Sequence, residues 1–308
     1  MAEQPAGRFV GPSASIGVVV VNYGSHALIE ANLGGLDLAA IGAQVVVVDN
    51  FRSAQDTQAM AEVAARHGWQ TQPMSTNVGF GSAANLGAEV AFERGCDVLI
   101  VVNPDLAIAA DVLAALAAAV RADPKVMISP RIVKPNGDVW FEGGFISLDA
   151  ARTRSIPGPV GDRTPAWLSG ACLAAHRDLW AAVSGFDDDY FLYWEDVDLS
   201  YRVTRAGGRL LVRPDLLAVH DVGGTQHAAD QRAKSDTYYY YNCRNRLLFA
   251  AKHLQRRDRL RWSVRTPADI RRVLLRGGKW QLLLNPRKSL WPALSGAAVG
   301  LYRLVVAR

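Results

Sequence analysis

The sequence predicts an α/β protein with a mostly parallel central sheet flanked by helices, and three observations carry that reading. The runs 16–21 (IGVVVV), 44–48 (QVVVV) and 98–102 (VLIVV) have no polar face, as strands covered on both sides require. Stretches with capping residues and apolar periodicity separate them. Strand and helix alternate through the first 130 residues, the order of an open α/β sheet.

Each element follows from its residues. The run 16–21 ends at Asn22-Tyr23-Gly24, and Ser25 can cap a helix reaching about residue 36. The run 44–48 ends in Asp49-Asn50; Ser53 starts a helix to about His67, and 69–74 is a weaker strand. Residues 79–94 read as a helix opened by glycines, and 98–102 as a strand ending in Asn103-Pro104-Asp105. An alanine-rich helix is expected over 110–122 and a short strand over 126–129. After Pro130 the β pieces shorten around Gly143-Gly144, and 151–165, polar and rich in Gly and Pro, reads as a mobile loop. Residues 209–212 and 216–219 read as two strands, the second ending in His220. Ligands of such sheets bind beyond the carboxyl ends of the strands, where Asn22-Tyr23, Asp49-Asn50 and Asn103-Pro104-Asp105 stand.

Charge divides the chain. Residues 252–308 hold 14 Lys/Arg and two acids, a balance of +12, which leaves 20 basic and 27 acidic groups, or −7, in the other 251 residues. Three scattered cysteines without CxxC spacing indicate neither a zinc site nor a disulfide framework and fit a reducing, cytoplasmic setting. Residues 1–14 read as a disordered lead-in, and no stretch reaches the roughly 20 apolar residues of a membrane span. The nearest candidate, 288–303, is short and holds Pro292.

The turn after the first strand excludes two nucleotide folds. A dinucleotide enzyme needs GxGxxG there and a P-loop needs GxxxxGK[ST]; this chain has NYGSH, with one glycine. The missing glycine loop also argues against a methyltransferase, although Asp49 would suit a ribose hydroxyl. The other conspicuous stretch is 187–202. Carboxylates at 187–189, Glu195, Asp196 and Asp198 surround an aromatic run at 190–194. On a helix Glu195 and Asp198 share a face while Asp196 points about 100° away, so the three cannot do one job. Asp198 and Arg202, at i, i+4, are spaced for an ion pair, and residues 187–189 read as a turn.

The runs VVVVNYGS, VVVVDN, NVGFGSAANLG, VLIVVNPD and WLSGACLAAHRDLWAAVSGFDDDYFLYWEDVDLSYRV occur in this order over about residues 15–248. Together they resemble the family 2 glycosyltransferases of the GT-A fold, and most of all their bacterial rhamnosyltransferase branch. The resemblance implies an inverting, metal-dependent transfer from a nucleotide sugar, dTDP-L-rhamnose for this branch, to a glycan or polyprenyl-diphosphate-linked saccharide in cell-envelope synthesis. It implies Asp196 as the base, with Glu195 before it at a helix start. Asn22, Tyr23, Asp49 and Asn50 fall near the nucleoside. Asn77, Gly79, Gly81 and Asn85 open the helix beside the donor, and Trp167, Ser169 and Gly170 line the sugar pocket. Asn103 and Asp105 occupy the place of the family's DxD motif, Asn103 replacing its first carboxylate. Asp105 and His220 are then the ligands of a Mg²⁺ or Mn²⁺ ion. Arg244 and Arg246, in YYYYNCRNRLLF, are expected to reach a phosphate.

The expected organisation is a catalytic domain at 15–251, divided into a nucleotide half at 15–130 and an acceptor half at 131–251. A helical basic extension at 252–308 follows. Its arginines beside Trp262 and Trp280 suit an anionic membrane interface, which implies a peripheral protein at the inner face of the cell membrane. A solvated basic surface or a homodimer contact is the alternative reading of that surface, and nucleic acid is disfavoured by the acidic body. A catalytically silent sugar-nucleotide-binding scaffold is the alternative function, against which the ED pair and Asp105 argue.

Overall fold

A computed structural model of the chain describes residues 15–155, 166–220, 234–278, 282–283 and 285–306. The expected lead-in, residues 156–165 of the expected loop, and Trp280 lie outside the described residues. The first half follows the alternation: β1 (Ser15–Asn22), α1 (His26–Leu33), β2 (Ala43–Asp49), α2 (Ala54–His67), β3 (Gln70–Pro73), α3 (Phe80–Glu93) and β4 (Cys96–Val102). The four strands pair in parallel in the order β3-β2-β1-β4. Their side chains sort by parity. Val18, Val20, Val47, Val98 and Ile100 pack on one face with Ile29, Met60 and Leu116, while Val19, Val46, Val48, Leu99 and Val101 pack on the other with Ala83, Ala88 and Leu179. Burial on both faces is why these runs lack polar alternation. Ser53 caps α2 by accepting the Asp56 N–H; the Ser25 side chain makes no such bond, and its backbone N–H donates to Asn22 Oδ1.

Beyond β4 the sheet becomes mixed. β5 (Leu106–Ile108), α4 (Ala110–Ala122), β6 (Val126–Val133) and β7 (Val139–Phe141) lead to a hairpin of β8 (Gly144–Ser147) and β9 (Arg152–Ser155). β10 (Cys172–His176), followed by α5 (Arg177–Ala182), inserts antiparallel between β4 and β6. Nothing in CLAAH, without a β-branched residue, signals that strand. α6 (Glu195–Arg205) precedes β11 (Arg209–His220), which runs parallel to β6 and antiparallel to β5. β11 joins the two strands expected at 209–212 and 216–219, and an irregularity between Arg213 and Leu217 absorbs Pro214. Inserting β10 places the start of α6 beside the carboxyl end of β4.

The chain closes with α7 (Asp236–His253), α8 (Arg256–Val264), α9 (Thr266–Arg276) and α10 (Pro286–Val306). Residue 252, where the extension is expected to begin, lies in the last turn of α7. α10 packs along α7 through Ser289, Ala293, Gly296, Ala297 and Gly300; a Cβ at Gly300 would come within 2.8 Å of the Arg244 carbonyl. Helix 286–306 runs through Pro292 and, among the described residues, is long and apolar enough by length and composition to cross a membrane. This corrects the expectation that no stretch reaches that length: packing on α7 carries the helix through Pro292, which propensity alone would disfavour.

Two expectations for the basic region need correction. Trp262 is no surface anchor: it is fully buried, in one cluster with Tyr190, Trp194, Val197 and Phe249. Arg246 does not reach for a phosphate. It is fully buried, donates from Nε to the Ala151 carbonyl at 2.7 Å and from Nη2 to the Trp262 carbonyl at 2.8 Å, and lies over the Trp262 ring. Asp269 sits 3.7 Å away as its counter-charge. Breaking such a buried network is costly, so Arg246→Ala should lower stability by about 3–5 kcal/mol. A urea midpoint equal to that of the parent protein would contradict this placement.

Candidate active site

The carboxyl ends of β1 and β2 are neighbours, with Asn22 in register with Asp49. Asn22 is fully buried: Nδ2 donates to Asp49 Oδ1 at 2.7 Å and Oδ1 accepts from Ser25. Thr57 donates to the other Asp49 oxygen at 2.5 Å. Asn22 therefore orients Asp49 instead of presenting its own amide to a ligand, while Tyr23, 52% exposed, stands free beside it. Asn50 is also spent on the protein, donating to Asn77 Oδ1 and the Gly79 carbonyl and accepting the Val78 N–H.

The glycine-rich start of α3 serves a different neighbour from the one expected. Gly79, at φ 89°, passes against the backbone of Phe191, whose carbonyl accepts the Phe80 N–H at 2.9 Å. A Cβ at Gly81 would meet Phe186 at 2.9 Å. Asn85 brackets the Phe186 backbone, donating to its carbonyl and accepting its N–H at 2.8 Å each. Both ends of that amide are bonded to this loop, so Asn85 positions the loop. Small residues and an amide here dock the loop that carries the acidic cluster.

That loop ends in backbone strain. Tyr193 and Trp194 both adopt left-handed φ, 65° and 73°, immediately before α6. Such conformations cost non-glycine residues about 1–3 kcal/mol each and persist only where surroundings impose them. Asn245 of α7 helps to hold them here: its Nδ2 donates to the Leu192 carbonyl at 2.9 Å and the Tyr193 carbonyl at 2.8 Å. Arg244 bonds the Asn245 Oδ1 at 2.6 Å and the Asp189 carbonyl at 2.9 Å, so it braces the same loop. Sequence reasoning missed Asn245. The run YYYYNCRNRLLF drew attention to its arginines, and only the position of α7 brings Asn245 to the turn.

The three carboxylates separate as helical geometry requires. Asp198 is fully buried between Arg202, 2.6 Å away, and His253 Nε2, 2.6 Å away. Burial would raise its carboxyl, but His253 and Arg202 hold it below the usual range. Glu195 is buried against α3, and burial followed by the Asp196 charge pushes its carboxyl well up. Asp196 is half-buried, with Oδ2 accepting the Gly170 N–H at 3.0 Å and Oδ1 accepting the Val197 N–H at 2.8 Å. Burial pushes Asp196 up to about 6, opposed by those backbone donors. Each oxygen keeps a lone pair, so Asp196 can accept a proton near neutrality. Residues 187–189 form the expected turn, tied down by Lys252.

The second polar group lies one step along the sheet. Asn103 N–H donates to the Ala171 carbonyl at 2.9 Å, next to the Gly170 that holds Asp196. Asp105 and His220 are both buried, and His220 Nε2 lies 3.1 Å from Asp105 Oδ1 because β11 runs back along β5. Trp140 packs on the His220 ring at 4.3 Å, and Trp167, bridged to Gly144, packs on Phe141 at 4.8 Å. The buried Ser169 accepts the Ala171 N–H. Sequence reasoning also missed the buried Glu142, 2.6 Å from Arg131 below this wall.

Comparison with known proteins places the family and the fold. Residues 18–169 match the model of glycosyl transferase family 2. An N-acetylglucosaminyl-diphospho-decaprenol L-rhamnosyltransferase of Mycobacterium tuberculosis is 31% identical over 232 residues, 66% of this chain and 75% of that protein. Rhamnosyltransferase WbbL of Escherichia coli is 39% identical over 54 residues, 18% of this chain and 20% of that one. A mannosyltransferase of Pyrobaculum calidifontis, solved with GDP-Man and Mn²⁺, superposes at a TM-score of 0.54 and 18% identity, over 94% of this chain and 86% of that one. The sheet, with a parallel half joined to a mixed half, is thus of the GT-A type, and the protein is a glycosyltransferase. The chain belongs to glycosyltransferase family 2 and is rhamnosyltransferase-like.

Asn245→Ala should free the turn before α6 and lower kcat by about 10²-fold, the order expected for a misplacement of roughly 1 Å, with little change in KM. Asn245→Asp, which sets an acceptor against two carbonyls, should fall as far. In the parent protein the acid limb of the rate profile should lie near pH 6, where Asp196 takes up its proton, and this limb should move in Asn245→Ala. An Asn245→Ala enzyme with an unchanged kcat and acid limb would contradict the clamp.

Proposed function

We propose that this chain transfers L-rhamnose from dTDP-L-rhamnose, with inversion, to a saccharide carried on a polyprenyl diphosphate, and that Asp196 is the base. The observation that carries the reading is the half-buried Asp196, fixed at a helix start by the Gly170 N–H. The sugar and acceptor are read from the mycobacterial relative, whose name specifies a rhamnosyl group and an N-acetylglucosaminyl-diphospho-decaprenol.

In this mechanism an acceptor hydroxyl oxygen forms a bond to the anomeric carbon while the bond from that carbon to the diphosphate breaks. The leaving nucleotide takes the electron pair and Asp196 takes the hydroxyl proton. Burial and the neighbouring Asp196 charge push the Glu195 carboxyl well up, and it stays buried beside Asp196. Asp49, oriented by Asn22 and Thr57, and the exposed Tyr23 receive the nucleoside. Trp167 and Ser169 border the sugar.

Asp105 and His220 suit a divalent ion. Ligands at about 2.1 Å in an octahedron stand roughly 3 Å from their neighbours, and these two donors are 3.1 Å apart. Among the described residues no third His, Cys, Asp or Glu completes a cluster, so diphosphate and water would supply the other positions. When bound, the ion would neutralise the departing diphosphate, and an imidazole ligand favours Mn²⁺ over Mg²⁺.

Helix α8 acts as part of the catalytic body, since its Trp262 shares a cluster with Trp194. The exposed apolar side chains of α8 and α10, Leu260, Val264, Trp291 and Tyr302, each more than 60% exposed, would meet an anionic membrane at the cytoplasmic side together with the arginines of this basic region.

Incubated with dTDP-L-rhamnose, Mn²⁺ and N-acetylglucosaminyl-diphospho-polyprenol, the protein should release dTDP and yield a product of inverted anomeric configuration. Retention of configuration, or turnover of a different nucleotide sugar alone, would contradict the reading. Asp105→Asn should raise the Mn²⁺ concentration needed for half-maximal rate.

A further inference from the structure

A second cationic pocket lies away from Asp196, between the β8–β9 hairpin and α9. It has a volume of about 200 Å³ and is lined by Ala150, Arg152, Arg265, Ala268, Asp269 and Arg272. Arg152 is the informative member. Its Nε is buried without a hydrogen-bond partner among the described residues. A buried donor left unpaired costs about 1–3 kcal/mol, more when charged, so the position implies a missing acceptor. Its guanidinium is pushed below the usual range by burial and then by the like charges of Arg154 and Arg272, with Arg276 adding to them.

Asp269, the acid of the pocket, does not cancel this charge. It is buried and committed elsewhere, one oxygen to Arg272 and the other near Arg246. Positive charge remains around a cavity with room for a phosphoryl group, and guanidinium forks match phosphoryl oxygens. The surroundings narrow the ligand further. Val264, next to Arg265, is 71% exposed and Leu260 is 67% exposed, so an apolar surface adjoins the charged one. The hairpin is bonded through Gly144 to Trp167, three residues before the Gly170 that orients Asp196.

We infer that Arg152, Arg265 and Arg272 form a binding pocket for the phosphoryl headgroup of an amphiphile, separate from the nucleotide site. Two sources share that chemistry: the diphosphate of a polyprenyl-linked saccharide and the phosphate of an anionic membrane lipid. Assignment to the first rests on the proposed acceptor; the pocket itself does not.

The test uses the full chain and phosphatidylcholine vesicles doped with either polyprenyl diphosphate or phosphatidylglycerol at matched charge, with binding read by co-sedimentation. Arg152→Gln and, separately, the exposed Arg265→Gln should each weaken vesicle binding about tenfold while dTDP affinity is unchanged. Loss confined to the polyprenyl diphosphate vesicles assigns the pocket to the acceptor, and equal loss on both assigns it to lipid headgroups. If Arg265→Gln, with an unaltered melting temperature, binds both vesicles as the parent does, the pocket is not a phosphoryl site. No glycosyl transfer is needed, so failure here is distinguishable from failure of the rhamnosyl assignment.

Discussion

The site depends on a two-residue turn that would not hold its shape alone. Tyr193 and Trp194 carry left-handed backbone so that the chain can leave the 187–192 loop and enter α6 with Asp196 facing Gly170. Two amide bonds from Asn245, at about 1 kcal/mol each, do not offset strain of about 1–3 kcal/mol per residue. Burial of the Trp194 ring against Phe249 and Trp262 adds roughly 2–3 kcal/mol and closes the gap. The turn is therefore held by α7 and α8 together, helices that follow it by some 40 to 70 residues.

A second consequence concerns the glycines and amides of α3. Gly79, Gly81 and Asn85 fit the carbonyl, ring and backbone of the same 186–191 loop. Two elements thus grip the loop, α3 at Phe186 and Phe191 and α7 at residues 189, 192 and 193. Asp196 inherits its position from both. The Asp105–His220 pair is located by different means, the antiparallel return of β11 beside β5. Asn103, bonded to Ala171, links the two groups.

Much of the first half was legible in the sequence because local signals and tertiary structure agree there. β-branched runs buried on both faces, the Ser53 cap and the 110–122 helix are each specified by nearby residues. The helical spacing of Glu195, Asp196 and Asp198 likewise anticipated the Arg202 pair and the separate place of Asp196. What was not legible depends on long-range contact. β10 has weak strand residues and exists because β4 and β6 leave a gap for it. Asn85 and Arg246 look like ligand contacts in isolation, yet their partners are backbone groups 101 and 95 residues away. Trp262, beside arginines, reads as an interfacial residue until α8 folds it onto Trp194.

The most direct measurement of the central claim compares Asp196→Asn with the parent enzyme for both transfer rate and donor affinity. The account predicts a fall in kcat of about 10²–10⁴-fold, the usual contribution of a positioned base, with dTDP-sugar affinity unchanged because Asp49 and Tyr23 are untouched. A variant that transfers at the parent rate, or that loses donor binding in proportion to activity, would contradict Asp196 as the proton acceptor.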